Sequence, residues 1–501
     1  MNECKGFSPN LVTYLLTPNL ERHPEKTAFL CDDEVVSYRL LGDGTYYFAA
    51  LLREKGVKRG DRVLMVLLDS PVFVAAFLGT AMIGAVAVAV NTSLSSDQYD
   101  FILQDCGARL ILMSPAVVNA MGDAVEKVTC IRCGELLSDL LDGATVVPIE
   151  PELMQFDDLA YLLYTSGSTG VPKGVPHRHA DLLEAAERYA VQVLGVSEAD
   201  TVLSTSKLNF SYGLGTGMAF PMYSGARAVL QTDKSSPDKL LALMERHSVS
   251  IFFSVPTIYS QIIRSVSQEN LSLPMRYCVS AGETLPIAVF HEWKRLTGLE
   301  LLECFGSTEL SNFFIYTRPG NAVAGFTGQQ MQGYEIRLVD DTGADVPVGI
   351  PGHLLVRGPG SAPYYWKLPE KTSKTMLLDG FLRTGDVFIK QDGYYAHKGR
   401  SDDMLRSGCQ WVSPIQVEEA LRSHPAVTDC AVAAYRVGGL ECPAAHVVLQ
   451  QDFSPEIQLE KELRAFLATR LPDYMCPVAY MFVKELPRTP TGKVQRFKLK
   501  Q

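Results

Sequence analysis

Short apolar runs and amphipathic stretches alternate along most of the chain. Positions 62–68 read as a strand, 71–83 as a helix, 85–90 as a strand, 96–104 as a helix and 110–113 as a strand. Positions 228–231, 237–246 and 251–254 repeat the strand, helix, strand order. This alternation predicts β-α-β units and mostly parallel sheets. The run from Val72 to Val90 is nearly uncharged and close to membrane-spanning length. Its punctuation predicts a buried helix and strand instead. Ser70 is an N-cap, Pro71 suits a first helical turn, and Gly84 stops the helix. The alternating Ala and Val of 85–90 then read as a buried parallel strand.

The texture changes twice further on. From about Gly325 glycine and proline become dense, and short strands at 335–339 and 353–357 predict a smaller β-rich subdomain. Beyond Gly399-Arg400-Ser401-Asp402-Asp403, Ser413-Pro414 opens a helix through Leu421. Strands near 428–434 and 445–449 and a helix near 459–471 follow. The predicted fold class is α/β. A large N-terminal domain, residues 1–399, has mostly parallel sheets flanked by helices plus the small β-rich subdomain. A junction at 400–403 leads to a small α+β C-terminal domain, 404–501. The junction alone reads equally as a hinge or as a plain loop.

With 501 residues, 47% of them hydrophobic, core material is plentiful. The net charge of −10 argues against a nucleic-acid or membrane-surface binder. Eleven cysteines show no framework, and Cys130/Cys133 has no second pair at zinc spacing. Free thiols in a reducing cytoplasm are expected. His177 and His179 form a His-x-His without an obvious third ligand. No apolar segment follows Met1-Asn2-Glu3-Cys4-Lys5, so no signal peptide is expected.

The chemistry concentrates in Tyr164-Thr165-Ser166-Gly167-Ser168-Thr169-Gly170-Val171-Pro172-Lys173-Gly174. Glycines let several N–H groups point into one concavity, hydroxyls add donors, and Lys173 adds positive charge. The stretch reads as a polyphosphate cradle, with a flexible linker as the alternative. A Walker A loop is excluded: Gly167 and Gly170 are too close, and Pro172 precedes Lys173. In Phe305-Gly306-Ser307-Thr308-Glu309 a glycine turn follows a strand-like run, where open α/β sheets bind ligands. Glu309 offers a carboxylate to Mg²⁺, although a helix cap explains it equally. Asp386 in Arg383-Thr384-Gly385-Asp386 suits ribose hydroxyls, or is a turn aspartate. Lys493 in Thr491-Gly492-Lys493 is a solvated lysine, or one delivered to developing negative charge by a moving domain.

In this order and spacing, these clusters resemble the adenylate-forming superfamily of acyl-CoA synthetases, luciferases and nonribosomal adenylation domains. The resemblance covers nearly the whole chain and implies ATP, Mg²⁺ and coenzyme A. It implies a phosphate cradle of Thr165, Ser166, Gly167, Ser168, Thr169, Gly170 and Lys173. Thr308 would touch the α-phosphate, and Glu309 with Thr169 would hold Mg²⁺. Gly282, Glu283, Thr284 and Phe305 would line the adenine side, and Asp386 and Arg400 would hold ribose. Asp402 would be the hinge and Lys493 the adenylation lysine.

The segment from Ser206 to Gly215 closely resembles the substrate loop of benzoate–CoA ligases, and anthranilate–CoA ligases share several segments with this chain. The implied acyl pocket comprises Phe210, Ser211, Tyr212, Ala281, Gly282, Cys304, Phe305, Gly306, Ser311 and Asn312. No acidic residue in 210–213 offers a partner to an α-ammonium group. Benzoate ligases tend to carry alanine at Ser211, histidine at Asn312 and glycine-isoleucine at Cys304-Phe305. Ser211 and Asn312 are therefore expected to pair a ring hydroxyl or amino group, unless both bond the backbone. The expected partners are a small aryl acid, ATP and coenzyme A, without nucleic acid or membrane. A carrier-protein acceptor, a homodimer and a catalytically inactive nucleotide-binding relative remain alternatives.

Overall fold

The computed structural model describes residues 10–122, 124–155, 157–166, 171–233, 236–266, 270–407, 410–437, 440–488 and 494–499. Two sheets dominate, of nine and six strands. Their central ladders are parallel, and the antiparallel pairings are confined to the two ends of the nine-stranded sheet and one edge of the six-stranded sheet. The alternation of strand and helix in the sequence thus becomes two crossover-connected sheets.

The long apolar run divides between a helix, Pro71–Met82, and a strand, Val86–Ala89. Ser70 caps the helix by accepting from the Phe73 N–H, and Gly84 turns the chain at φ +69°. Every residue of the helix is buried. It shares one core with Val63, Met65 and Tyr161 of the six-stranded sheet and Phe29, Ala228 and Leu230 of the nine-stranded sheet. A uniformly apolar helix therefore lies between two sheets. Among the described residues, no helix is long and apolar enough to cross a membrane.

The β-rich region is a four-stranded antiparallel sheet with Glu335–Val339 at one edge and Tyr394–Arg400 at the other. Farther along lie the helix Pro414–Arg422, capped by Ser413, and the strands Val427–Val437 and Leu440–Leu449. The helix Ile457–Ala468 and the strand Ala479–Phe482 complete a separate core drawn entirely from residues 405–482. Strands there run longer than the sequence reading, because the Val427–Val437 and Leu440–Leu449 hairpin pairs almost to its tip.

Candidate active site

The strands that flank the glycine- and serine-rich stretch lie at a sheet edge. The strand Leu159–Ser166 lies parallel to Val86–Ala89, then returns antiparallel as Pro172–Arg178, with Thr165 opposite Lys173. The expected cradle residues Gly167, Ser168, Thr169 and Gly170 lie outside the described residues, as does Lys493. Lys173, on the return strand, is placed by the hairpin. Its Nζ donates to Glu309 Oε1 at 2.8 Å and to the Tyr365 hydroxyl at 3.0 Å. Tyr365 in turn donates to the same Glu309 oxygen at 2.8 Å, and its ring lies 4.4 Å from the ammonium.

Both charged side chains are largely covered, at 16% exposure for Lys173 and 14% for Glu309. Burial alone would raise the Glu309 pKa. The Lys173 charge and the hydrogen bonds from Lys173 and Tyr365 outweigh it and hold the carboxyl at about 2. Glu309 is therefore a fixed negative charge. A single carboxylate suits Mg²⁺, which keeps waters and takes phosphate oxygens from its substrate. Tyr365 was not legible in the sequence; its only signal is an aromatic pair before Trp366 in a proline-flanked stretch.

Glu309 is carried on a single helical turn, Thr308–Leu310, directly after the strand Leu301–Gly306. The six-stranded sheet grips this turn. His177 donates from Nε2 to the Thr308 carbonyl at 2.7 Å, and its Nδ1 lies 3.2 Å from Asp181. Tyr161 stacks on that imidazole and pairs with Ser311 at 2.8 Å. His179 instead accepts from the Leu11 N–H. Each ring of the His-x-His thus bonds the scaffold, and no group of three or more metal-capable side chains forms among the described residues. Gly306 has to be glycine, since a Cβ there would stand 2.3 Å from the Asn312 carbonyl oxygen.

A second cluster forms where the four-stranded sheet meets the nine-stranded one. Asp386 faces Arg400 across a strand pair, and the guanidinium donates to it at 3.0 Å. His397 Nε2 lies 3.3 Å from the other oxygen, and its Nδ1 pairs with the Thr284 hydroxyl at 2.9 Å. Burial would raise the Asp386 pKa; His397 and Arg400 hold it below the usual carboxylate range. The Phe305 ring lies 5.2 Å from that of His397. Asp386, Arg400, Thr284 and Phe305 are thus brought together around His397, which sequence reasoning missed. Glu283 turns aside and accepts from the N–H and hydroxyl of Thr257. Gly282 holds the turn between them at φ +84°.

Of the aryl-side residues, Ser211 and Asn312 meet beside the Thr308–Leu310 turn. The Ser211 hydroxyl reaches the Thr308 hydroxyl at 3.5 Å, and Tyr212 donates to the Ser254 carbonyl. Asn312 is engaged by backbone on both ends of its amide. It accepts from the Phe313 N–H and donates to the Ser211 carbonyl at 3.4 Å. Its amide nitrogen abuts Gly215, where a Cβ would come within 2.2 Å. Strand alternation separates the neighbours Cys304 and Phe305. Cys304 lies against the Tyr189 hydroxyl at 3.0 Å, and burial pushes its thiol up to about 12. Phe305 faces His397 and Phe388.

Glu303, one residue before Cys304, is buried and accepts from the Thr327 hydroxyl. Burial pushes its carboxyl up to about 8, against the lowering effect of Thr327 and a backbone N–H. A raised carboxyl pKa costs stability wherever the unfolded chain is ionised. Wild-type stability should therefore fall as pH rises from about 4.5 to about 8. The Glu303→Gln variant should show a flatter melting-temperature profile over that window; parallel profiles would contradict this assignment.

The profile of the AMP-binding enzyme family matches residues 16–366, and that of the AMP-binding enzyme C-terminal domain matches 416–493. The benzoate–CoA ligase of Thauera aromatica is 38% identical over 468 residues, covering 90% of this chain and 88% of the relative. A 3-hydroxybenzoate–CoA/4-hydroxybenzoate–CoA ligase of the same organism is 34% identical, covering 95% and 94%. The crystal structure of an anthranilate–CoA ligase in complex with anthranoyl-AMP superposes with a TM-score of 0.90 at 34% identity, covering 98% of this chain and 96% of that one.

Proposed function

The chain belongs to the AMP-binding enzyme family, and from that premise we propose that it is an ATP-dependent aryl-acid–CoA ligase. The observation that carries this reading is the convergence of the Lys173–Glu309–Tyr365 triad and the Asp386–Arg400–His397 cluster. They flank the Thr308 turn, the first through Glu309 and the second through Phe305, and Ser211 and Asn312 lie beside it. Benzoate, hydroxybenzoate and anthranilate ligases among the relatives support an aryl substrate.

In the first half-reaction a carboxylate oxygen of the acid attacks the α-phosphorus of ATP. A C–O–P linkage forms, the bond to the β-phosphate bridging oxygen breaks, and pyrophosphate leaves. Two anions approach, so positive charge must be fixed in advance. Lys173, held by Glu309 and Tyr365, supplies it at the phosphate side. We assign Glu309 as the carboxylate that would hold Mg²⁺, and Thr169 as the second ligand that the family resemblance implies. The metal, when bound, shields phosphate charge. Asp386 and Arg400 orient the ribose, and Thr308 presents its hydroxyl beside the α-phosphate. In the second half-reaction the thiol of coenzyme A attacks the acyl carbonyl, AMP departs, and the thiol proton passes to solvent. The domain reading is 1–399 for ATP and acid binding, a hinge at 400–403 turning on Asp402, and 404–501 carrying Lys493 in and out.

The favoured acid is a benzoate bearing a hydroxyl or amino group. Backbone bonds take one amide N–H and one oxygen lone pair of Asn312, so the freer partner assigned to that substituent is the Ser211 hydroxyl, loosely held at 3.5 Å from Thr308. Leaving a buried polar group unpaired costs about 1–3 kcal/mol, or roughly 5- to 150-fold in specificity. Steady-state kcat/KM across benzoate and the hydroxy- and aminobenzoate isomers should place one substituted acid ahead by that margin. The Ser211→Ala variant should erase the preference. Benzoate as the best substrate would contradict the substituent assignment and leave the ligase intact.

A further inference from the structure

Three of the residues expected to face the ring, Phe210, Ser211 and Tyr212, sit on one short segment, 206–213, and that segment is tethered from behind. Lys207 points away from the pocket. Its ammonium donates to the carbonyls of Gln231 at 2.9 Å, Asp233 at 3.3 Å and Thr232 at 3.5 Å. These three residues directly follow the strand Arg227–Leu230. The same ammonium lies 3.7 Å from Asp69 Oδ2, while Asp69 Oδ1 accepts from the Leu208 N–H at 3.1 Å. Asp69 is buried, just past the strand Arg62–Val66 of the other sheet. A void of about 10 Å³, lined by Asp69, Lys207, Ser204 and Gln231, adjoins the pair. The turn itself is tight. The Phe210 N–H returns to the Lys207 carbonyl, and a Cβ on Gly213 would stand 2.1 Å from that oxygen.

We propose that Asp69 and Lys207 form a clamp, spanning the two large sheets, that positions the aryl-binding loop; this rests on the reading of Phe210, Ser211 and Tyr212 as pocket residues. A lysine spent on three carbonyls and a carboxylate has no donor left for phosphate or acid. Its effect passes through the loop backbone, whose Lys207 carbonyl and Leu208 N–H are both engaged. A fixed loop spares the acid the entropy of ordering its own site, so the clamp acts on acid binding and not on ATP. Asp69 and Lys207 are positioning residues, not catalytic ones.

The test uses the full chain with Lys207→Met, Asp69→Asn and the double variant. Hydrogen exchange on peptides covering 204–214, without ligands, should quicken at least tenfold in each single variant. The double variant should be no worse than the weaker single, because partners in one clamp are not additive. KM for the best aryl acid should rise about tenfold while KM for ATP stays within twofold, and Lys207→Arg should recover part of the loss. Unchanged exchange at 204–214 would overturn the clamp. So would faster exchange across the whole chain, or equal rises in both KM values. A wild type that activates no aryl acid would contradict the pocket reading instead, and the exchange arm alone would then decide the clamp.

Discussion

Replacing Glu309 by glutamine should lower the rate of aryl-acid adenylation by roughly 10²–10³-fold, the usual effect of removing one preorganised electrostatic group. The carboxyl titrates at about 2, so at any working pH the wild-type site holds a full negative charge there. Glutamine keeps the shape and one carbonyl oxygen to accept from Lys173 and Tyr365, but removes the charge. Lys173 then keeps an acceptor but loses the opposing charge that holds it, and the site loses its described carboxylate for a divalent cation. Breaking a covered ion pair also costs stability, so melting temperature is measured beside activity. Glutamine should shift it less than alanine at the same position. ATP–pyrophosphate exchange, followed against magnesium concentration, is the readout. The variant should need more magnesium for its residual rate, and a rate within twofold of wild type would remove Glu309 from the machinery.

The Asp386→Asn variant should raise KM for ATP about 10- to 100-fold and leave KM for the aryl acid nearly unchanged. A hydrogen bond to a charged acceptor contributes about 1.5–3 kcal/mol, and each 1.4 kcal/mol is tenfold. Asp386 is buried and is held ionised by His397 and Arg400. Arg400 is 50% exposed, so after the substitution it can turn to water, and the loss appears in binding more than in folding. The sign with pH follows from the same groups. The folded pKa of Asp386 lies below its ordinary value, so its contribution is complete above that value and fades as pH falls through the folded one. Isothermal titration with ATP against melting temperature separates the two effects. A variant that melts far lower but binds ATP normally would make Asp386 a structural residue alone.

Much of this was legible in the sequence because the relevant signals are local. Ser70, Pro71 and Gly84 mark a helix and its end, and the helix lies between them. The segments 237–246 and 251–254 are periodic and punctuated, and both elements form there. What stayed hidden depends on contacts distant in the chain. The stretch before Lys173 reads as a loop after a strand; that Lys173 itself lies on an antiparallel edge strand depends on pairing between Leu159–Ser166 and Pro172–Arg178. Tyr365 and His397 carry no motif, and each matters because of a partner far away in sequence, Glu309 and Asp386. His177 reads only as part of a His-x-His without an obvious third ligand, and the fold uses it to hold the Thr308 turn across the gap between two sheets. Asn312 reads as a ring partner by position, and only the fold shows that the Ser211 carbonyl and the Phe313 N–H each take one hydrogen-bonding position of its amide.

The most direct test is to mix the enzyme with ATP, magnesium and the preferred aryl acid, and to follow the acyl group by mass spectrometry before and after adding coenzyme A. The account predicts an enzyme-bound aryl-AMP with stoichiometric pyrophosphate first, then its conversion to aryl-CoA and AMP. An aryl-AMP that persists when coenzyme A is added, or no adenylate with any aryl acid, would contradict it.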